Sequence, residues 1–438
     1  MNYQARKVVV STLFWILLTG RCHGLMPPKI LSVGLSAVDF VATVDHYPAP
    51  DEKMRSSNLL VEGGGNAANT ACAMAGLLDQ GGSSLLTAVG DDPNGNIILD
   101  GLKQRNVNVL AQRYPGSSPF SYILSCDIDG TNTRTCIHQP SSGDMSTSFA
   151  LNEENVPLTQ FTAVHFDVRY PVAAMALAKK CLDKGIPYSV DVERPREGLA
   201  EIMKGATIVV CNSNYCDTVD NEDGSTAEKL IRVMKKQAPK AAVAVQTLGE
   251  KGSCLVFLDD EIRAAMAALA TDDILKEDGS TGLPKISLEK DGSLICDAFR
   301  GGKIVDTTGA GDSFIGGFLS AVWTYVAAAD DSIFTPTSTP TALGRSLRIA
   351  SRVASRKIEK AGARSGLPQL SEDEILQKDF QALLDSGKSS ATDGETSKVS
   401  KPSVADSNQG KTGRKSLFLG RLVQRVSAWR KSAASEAL

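Results

Sequence analysis

Short runs of β-branched and other apolar residues alternate with helical stretches along most of this chain, and this alternation constrains the fold more than any other feature. The strand-like runs lie at 30–34, 85–89, 163–168, 188–192, 207–211 and 242–246, and the helical stretches include 67–78, 172–184 and 227–237. Strands that alternate with helices build a mostly parallel sheet with helices on both faces. The sequence therefore predicts an α/β fold with a mostly parallel central sheet.

Two regions break the alternation and predict a second, smaller sheet. Residues 54–62 form one extended run, and residues 120–126 and 133–138 form a pair joined by a turn that contains Gly130. Extended runs on either side of a glycine-containing turn are typical of antiparallel strands. We predict a small antiparallel sheet with its strands at 53–62 and 118–138.

A glycine-rich turn at residues 306–314, with the sequence DTTGAGDSF, carries the strongest chemical signal. It lies between an apolar pair and a longer apolar run, which predicts a strand that passes directly into a helix. The first turn of a helix presents unpaired N–H groups at the positive end of its dipole, and these suit an anion. Asp312 would repel a phosphate there unless it takes a proton from a hydroxyl that attacks phosphorus. The pattern favours phosphoryl transfer; a plain tight turn with Asp312 as a helix cap is the simpler alternative.

Composition argues against several other classes of protein. The 438 residues, 42% of them hydrophobic, suffice for one large domain or two small ones with a sizeable core. A net charge of −3 gives no general attraction to nucleic acid, so none is expected as a partner. Nine cysteines without a C-x-x-C pair and only four histidines give no reason to expect a zinc site.

Two stretches near the start of the chain offer polar side chains beside glycines. Asp39 lies just beyond the first predicted strand, where open α/β sheets bind ligands and a carboxylate can accept hydrogen bonds from adjacent sugar hydroxyls. The stretch EGGGNAAN contains Gly64 and Gly65, which allow a sugar close to the backbone, and two asparagines that both donate and accept. Asn66 and Asn69 are three positions apart and so share one face of the helix that begins here.

These motifs together resemble the two signatures of the pfkB, or ribokinase-like, carbohydrate kinases. The resemblance spans residues 25–370 and implies the ribokinase-like fold, a three-layer α/β/α sandwich with a small β lid over the sugar. It implies that ATP phosphorylates a hydroxyl of a small sugar, a ketohexose or pentose such as fructose or ribose. Asp312 would be the catalytic base, and the N–H groups of Gly309, Ala310 and Gly311 would form the anion hole for the transferring phosphoryl group.

Two further elements match the family on the nucleotide side. The stretch VQTLGEKG resembles one that borders the nucleotide in relatives, which implies ATP-binding roles for Thr247, Gly249 and Gly252. Asn212, a further ATP-binding candidate, stands where many relatives begin an N-x-x-E motif whose glutamate orders Mg²⁺, but the fourth residue here is Tyr215. Mg²⁺ is therefore expected to be held mainly by the phosphates of ATP and by water.

The resemblance also implies a monovalent cation and a branch of the family. By analogy with relatives, the carbonyl of Thr308 and the side chain of Asp306 would help to hold K⁺. Residues 188–199 are similar to a V-E-V-E-K-P-R-E-like run of the ketohexokinases and to a run in plant-type members. Asp167 would then be a second sugar contact, although a turn residue at the end of a strand fits it as well.

Two other functions and one assembly stay open. A nucleoside kinase of the same fold, of adenosine or pseudouridine type, would need an aromatic platform for the base, and Phe40, Phe120 and Tyr122 could supply it. A membrane-associated binding protein on a kinase fold would work through a basic tail, although an intact Asp312 argues against it. The exposed edges of the lid strands favour a homodimer through the lid.

Both ends of the chain depart from the composition of the middle. Residues 1–24 carry two basic residues and then an apolar run, which resembles a leader into the endoplasmic reticulum. For an enzyme that needs ATP, this favours an organelle or its lumen over secretion; a buried first helix is the alternative.

Residues 371–412 are typical of a low-complexity linker. Residues 413–432 form a basic amphipathic helix that would contact a membrane or a partner, or fold back on the core.

Overall fold

The computed structural model describes residues 27–128, 131–269, 283–328 and 338–388. The predicted leader at 1–24 and the predicted basic helix at 413–432 lie outside these residues. Within the described ranges, no helix is both long and apolar enough to cross a membrane.

A ten-stranded sheet runs through the middle of the molecule. Its strands, in spatial order, are β13 (Ile286–Leu288), β14 (Leu294–Cys296), β12 (Ser253–Phe257), β11 (Val243–Thr247), β10 (Ile208–Cys211), β9 (Tyr188–Val192), β8 (Ala163–Phe166), β1 (Ile30–Val33), β4 (Ser83–Gly90) and β5 (Asn108–Tyr114). The strands from β11 to β5 are parallel, whereas β12, β14 and β13 are antiparallel to their neighbours. The predicted mostly parallel sheet is confirmed.

Helices cover both faces of this sheet, as predicted. Those in the described residues are α1 (Asn66–Ala75), α2 (Pro93–Gln104), α3 (Thr147–Leu151), α4 (Pro171–Asp183), α5 (Leu199–Met203), α6 (Tyr215–Val219), α7 (Thr226–Gln237), α8 (Asp260–Ala267), α9 (Ala310–Ala328), α10 (Ser338–Lys357) and α11 (Glu374–Lys388). Successive residues of a strand face opposite sides, so Val209 packs under α4 and α7, while Val210 packs under α9 and α10. Buried on both faces, β10 is apolar throughout.

Helix α9 is the central helix of one face. It is apolar on every side, as a fully surrounded helix must be, and Phe318 and Trp323 are completely buried. Two glycines allow its close packing, because a Cβ on Gly316 would lie 2.6 Å from Ala73 of α1 and one on Gly317 would lie 2.9 Å from Ala350 of α10. This packing places the first turn of α9 against α1.

A second sheet of four strands forms the predicted lid. Its order is β3 (Asn58–Gly64), β2 (Ala37–Val44), β6 (Phe120–Ile128) and β7 (Thr131–Gln139). The outer pairs are antiparallel, whereas the central pair of β2 and β6 is parallel. The parallel pair was not predicted, since the sequence pattern did not reveal β2 as a separate strand. One row of facing residues, which we call the inner row, is Glu62, Asp39, Ser121 and His138; the adjacent outer row, on the opposite face, is Val61, Phe40, Tyr122 and Ile137.

The chain stays folded beyond residue 370, although a linker was predicted from 371. Helix α11 packs against α9 and α10 and buries Leu376, Phe380 and Leu383. Its Asp379 accepts a hydrogen bond from Arg348 of α10 at 2.8 Å. The prediction placed the start of the linker where the family resemblance ends, but residues 374–388 form a helix, and the remaining predicted linker at 389–412 lies outside the described residues.

Candidate active site

Asp312, in the first turn of α9, is held by the first turns of α1. The Nδ2 atom of Asn69 donates a hydrogen bond to Asp312 Oδ2 at 2.8 Å, and Thr70 Oγ1 donates to the Asp312 carbonyl at 3.3 Å. Helix α1 begins immediately after Gly65, whose φ of 94° lies in the left-handed region that favours glycine. The two signature motifs, far apart in sequence, therefore meet at one carboxylate.

Arg364 determines the orientation of the Asn69 amide. Its guanidinium is buried; Nε donates to Asn69 Oδ1 at 2.8 Å, and Nη2 donates to the Gly64 carbonyl at 2.7 Å. An asparagine amide can be turned over, but a guanidinium can only donate, so Oδ1 must face Arg364 and Nδ2 must face Asp312. Arg364 lies in the stretch GARSG at 362–366 and was not among the predicted site residues.

The surroundings of Asp312 make it a stronger base than an ordinary carboxylate. Burial raises the pKa of Asp312 to about 7, while the hydrogen bond from Asn69 acts in the opposite direction. The carboxylates of Glu193 and Asp167 raise the pKa of Asp312 further, and Arg169 lowers it. A base with a pKa near neutrality suits proton transfer at neutral pH.

Asn66 connects this centre to a charged cluster at the end of β9 that was not predicted. Its Nδ2 donates to Glu193 Oε1 at 2.9 Å and lies 3.4 Å from Asp191 Oδ2. Arg169 and Arg196 both donate to Glu193 Oε2, at 2.8 and 2.9 Å. Burial opposes ionisation of Glu193, but these arginines hold its pKa below the ordinary value, whereas burial and the neighbouring Glu193 raise the pKa of Asp191 well above it.

Asp39 was expected just beyond the carboxyl end of β1, but it lies within β2 of the lid. Its side chain is buried on the inner row, against the backbone of Gly64, where an added Cβ would lie 2.1 Å from Asp39 Oδ2. Burial raises the pKa of Asp39 to about 6, although a hydrogen bond with Ser121 and the charge of Arg364 lower it. Asp39 thus borders the same glycine-rich stretch that ends at Asn69.

Asp167 accepts hydrogen bonds from the backbone, which favours the alternative to its predicted role as a sugar contact. Its Oδ2 accepts hydrogen bonds from the N–H groups of Leu35 and Ala67 at 2.9 and 3.1 Å, and its Oδ1 accepts one from Arg169 at 2.9 Å. The side chain is buried. Asp167 ties the start of α1 to the ends of β1 and β8, so the structural interpretation of this strand-end residue is the better one.

Three of the four predicted nucleotide residues and most of the predicted anion hole line one cavity of about 1120 Å³. Thr247, Gly249 and Gly252 lie on one side, and Ala310 and Gly311 lie on the other. The cavity therefore ends at the N-terminus of α9, beside Asp312. Gly309, with φ 72°, forms the turn that starts the helix. The Ala310 N–H donates to Thr307 O at 3.2 Å, so an anion would have to share that hydrogen.

A model of the pfkB family of carbohydrate kinases matches residues 27–370. This chain belongs to that family. It is 25% identical over 296 residues to ketohexokinase of Mus musculus, and the alignment covers 65% of this chain and 86% of that one. It is 24% identical over 358 residues to ribokinase of Lactococcus lactis, with 81% and 99% covered.

Solved structures show the same fold. The structure of Arabidopsis thaliana ribokinase complexed with ribose and ATP has a TM-score of 0.57 to this pfkB kinase at 18% identity, covering 82% of this chain and 99% of that one. The predicted family, the ribokinase-like fold and the predicted class of enzyme, a carbohydrate kinase, are confirmed.

Asn212 lies away from the nucleotide cavity of this pfkB kinase. Its Nδ2 donates to the Glu193 carbonyl at 2.9 Å, and its own carbonyl accepts from Gln246 at 3.2 Å. Tyr215, where many relatives have glutamate, is buried and donates to Gln237 at 2.6 Å. Asn212 thus joins β9, β10 and β11 and is not among the residues that line the cavity, so its ATP-binding role stays a prediction. In the described part of the chain, no three His, Cys, Asp or Glu side chains are grouped so as to hold a metal ion.

The carboxylate of Asp306, which was predicted to help hold K⁺ together with the carbonyl of Thr308, already accepts three hydrogen bonds. Asp306 Oδ1 accepts from Thr308 N and Oγ1 at 2.8 and 2.6 Å, and Oδ2 accepts from Gly362 N at 2.7 Å. Burial opposes ionisation of Asp306, but these hydrogen bonds and Lys357 hold its pKa below the ordinary value. The Lys357 ammonium itself donates to the Asp306 carbonyl at 2.8 Å. Burial lowers the pKa of Lys357 to about 8, and Asp306 acts in the opposite direction.

The aromatic residues considered for a nucleoside base lie on the wrong face of the lid. Phe40 and Tyr122 belong to the outer row, and Phe120 is on the same face, with ring centroids 5.2 to 6.0 Å apart. Asp39 and Ser121 precede Phe40 and Tyr122 and point the other way, because strand side chains alternate. These three rings therefore cannot stack on a substrate held by Asp39.

Proposed function

We propose that this pfkB kinase transfers the γ-phosphoryl group of ATP to a hydroxyl of a small neutral sugar, a ketohexose or pentose such as fructose or ribose. The observation that carries the proposal is the Asn69–Asp312 pair, next to the anion-hole residues at the end of the nucleotide cavity, with the pKa of Asp312 raised to about 7. A base at the N-terminus of a helix joins the two requirements of phosphoryl transfer, a proton acceptor and a site for phosphate charge.

The sugar would lie along the glycine-rich stretch between Asp39 and Asp312. Asp39 borders this stretch at Gly64, and Asp312 borders it at Asn69. Gly64 leaves room for the Asp39 carboxylate, and Asp39, with Asn66 and Asn69, would accept from and donate to the hydroxyls of the sugar.

In the chemical step, the sugar hydroxyl oxygen forms a bond to the γ-phosphorus as the bond from that phosphorus to the β-phosphate oxygen breaks. Asp312 takes the hydroxyl proton, and ADP leaves. The N–H groups of Gly309, Ala310 and Gly311 stabilise charge on the transferring group. Kinases take ATP as its Mg²⁺ complex, and the phosphates and water would supply most of the metal ligands.

A homodimer through the lid is supported by the outer row. Tyr122 and Ile137 are 53% and 59% exposed, and they stand side by side on adjacent strands next to Phe40. An exposed apolar row on a sheet favours association with a second sheet. The prediction was based on the edges of the lid strands, whereas the support comes from the face of the lid. Contact of the basic helix at 413–432 with a membrane or partner, and entry into the endoplasmic reticulum, stay predictions.

The direct test is phosphorylation by the full chain across fructose, ribose, tagatose, adenosine and pseudouridine with ATP and Mg²⁺. We expect turnover of one sugar and not of the nucleosides. Asp312→Asn should keep the fold and ATP binding and lose about a hundredfold to ten-thousandfold in kcat. Retention of more than about a tenth of the wild-type rate in this variant would remove Asp312 from the role of base. Turnover of a nucleoside alone would replace the sugar in the proposal.

A further inference from the structure

A buried lysine contacts Asp306, the residue whose side chain the family resemblance assigns to a monovalent cation. Lys357 is the last residue of α10, and its side chain is fully buried. Its Nζ donates to the carbonyl oxygen of Asp306 at 2.8 Å. The structure thus holds a unit positive charge of its own beside the residue predicted to bind K⁺.

The ammonium group lies where two chain segments meet at Asp306. One is the turn at 306–309, and the other is the loop that follows α10. The Asp306 and Val305 N–H groups donate to the Ile358 carbonyl at 3.1 and 2.8 Å, and the Gly362 N–H donates to Asp306 Oδ2 at 2.7 Å. Since Lys357 directly precedes Ile358, its ammonium group acts at this same junction.

The charges nearby explain why an ammonium group can be buried here. An isolated ammonium in the interior would be very unfavourable, so it needs partners of opposite charge. The carboxylates of Asp306 and Glu62 supply them, with Asp306 the stronger, while Arg134 of the lid opposes them. The C-terminus of α10 carries the negative end of the helix dipole, which also favours a cation.

We propose that the ammonium group of Lys357 takes the place of a bound monovalent cation, so that the anion-hole turn keeps its shape without K⁺. Lysine carries a compact charge, and here it is tethered to the chain and cannot dissociate. The kinetic consequence rests on the proposed function, because the turn must act on a phosphoryl group. The structural consequence, a stability that does not depend on K⁺, holds independently of the proposed function.

The first test uses the wild-type chain in buffers that contain K⁺, Na⁺ or tetramethylammonium at equal ionic strength. We expect the melting temperature to be the same in all three, and the rate of sugar phosphorylation to differ by less than about twofold. A selective rise in melting temperature or several-fold activation by K⁺ would overturn the proposal. If no sugar is phosphorylated, the proposed function fails, and the melting temperatures still decide the cation question.

The second test removes the charge. Lys357→Ala leaves room for a free cation, and we expect a lower melting temperature and about a tenfold or greater loss of kcat in tetramethylammonium, both largely restored by K⁺ or NH₄⁺. Lys357→Met, which keeps the side-chain length, serves if the alanine variant does not fold. The matched control is Lys360→Ala, an exposed lysine one turn away. Wild-type behaviour of Lys357→Ala in tetramethylammonium, or a loss that neither cation restores, would contradict the proposal.

Discussion

At the scale of single residues, the site depends on three side chains that are connected by hydrogen bonds. The first orients the second, and the second donates to the third. Arg364 can only donate, so it orients the Asn69 amide, and Asn69 then donates to Asp312. Two of these contacts join residues that are 295 and 243 positions apart. Asp312 is the proposed base, but its protonation state is determined by neighbours from other parts of the chain.

The pKa of Asp312 predicts how activity depends on pH. The base must be ionised to accept a proton, so kcat/KM should fall as the pH drops through about 7 and be level above it. Burial and the carboxylates of Glu193 and Asp167 raise the pKa of Asp312 that sets this limb, and Asn69 and Arg169 lower it. Measurement of kcat/KM against pH checks this, and a flat profile through neutrality would contradict it.

Replacement of Arg364 tests its action through Asn69. In Arg364→Met the Asn69 amide is free to turn its oxygen toward Asp312, which would raise the pKa of Asp312 and shift the acid limb to higher pH. We expect a lower kcat at neutral pH that recovers as the pH rises, with the KM for ATP little changed. Arg348→Met is the matched control, because Arg348 is equally buried but pairs with Asp379. Loss of stability in both variants with no shift of the acid limb in Arg364→Met would give Arg364 a purely structural role.

At the scale of elements, hydrophobic pattern predicted most of what the structure contains. β9 (Tyr188–Val192) and α7 (Thr226–Gln237) lie where their patterns place them, since each has a clear period and a clear boundary. β2 and α11 were missed for opposite reasons. The run that forms β2 follows β1 after only three residues and looks like its continuation, whereas α11 lies beyond the region that the family resemblance covers and was therefore assigned to the linker.

The packing of α11 predicts that it contributes to stability. Leu376 is fully buried against the helices of one face, so Leu376→Ala should lower the free energy of unfolding by about 2–5 kcal/mol. Lys378→Ala, an exposed change in the same helix, should alter it by less than about 0.5 kcal/mol. Denaturant unfolding of the two variants makes the comparison, and equal stabilities would mean that α11 is not part of the folded core.

At the scale of the whole molecule, the lid has two faces with different tasks. The inner row carries Asp39 toward the site, and the outer row carries Tyr122 toward solvent. The lid also reaches the anion-hole turn, where Arg134 donates to Thr307 Oγ1 at 2.7 Å. A lid that touches both ligands' sites is suited to exclude water during transfer.

The exposed outer row predicts the oligomeric state. Tyr122→Glu places a charge in the middle of this row, so it should convert a dimer to a monomer in light scattering. Because Tyr122 points away from Asp39, each monomer should still bind ATP. Glu52→Gln, an exposed change outside the strands of the lid, is the control. A wild-type chain that is monomeric at all concentrations would refute the dimer.

The sequence by itself determined the class of fold and the place of the chemistry, because periodicity and glycine-rich turns are local properties. Alternating runs predict a parallel sheet, and DTTGAGD predicts a helix N-terminus with a carboxylate, whatever the rest of the chain does. Only the tertiary structure decided the partners of Asp167, Asn212 and Asp306. The sequence alone does not distinguish a carboxylate that binds a sugar from one that binds the backbone or a cation. The role of the carboxylate depends on which donors the fold brings to it from distant positions, as Lys357 and Arg364 show.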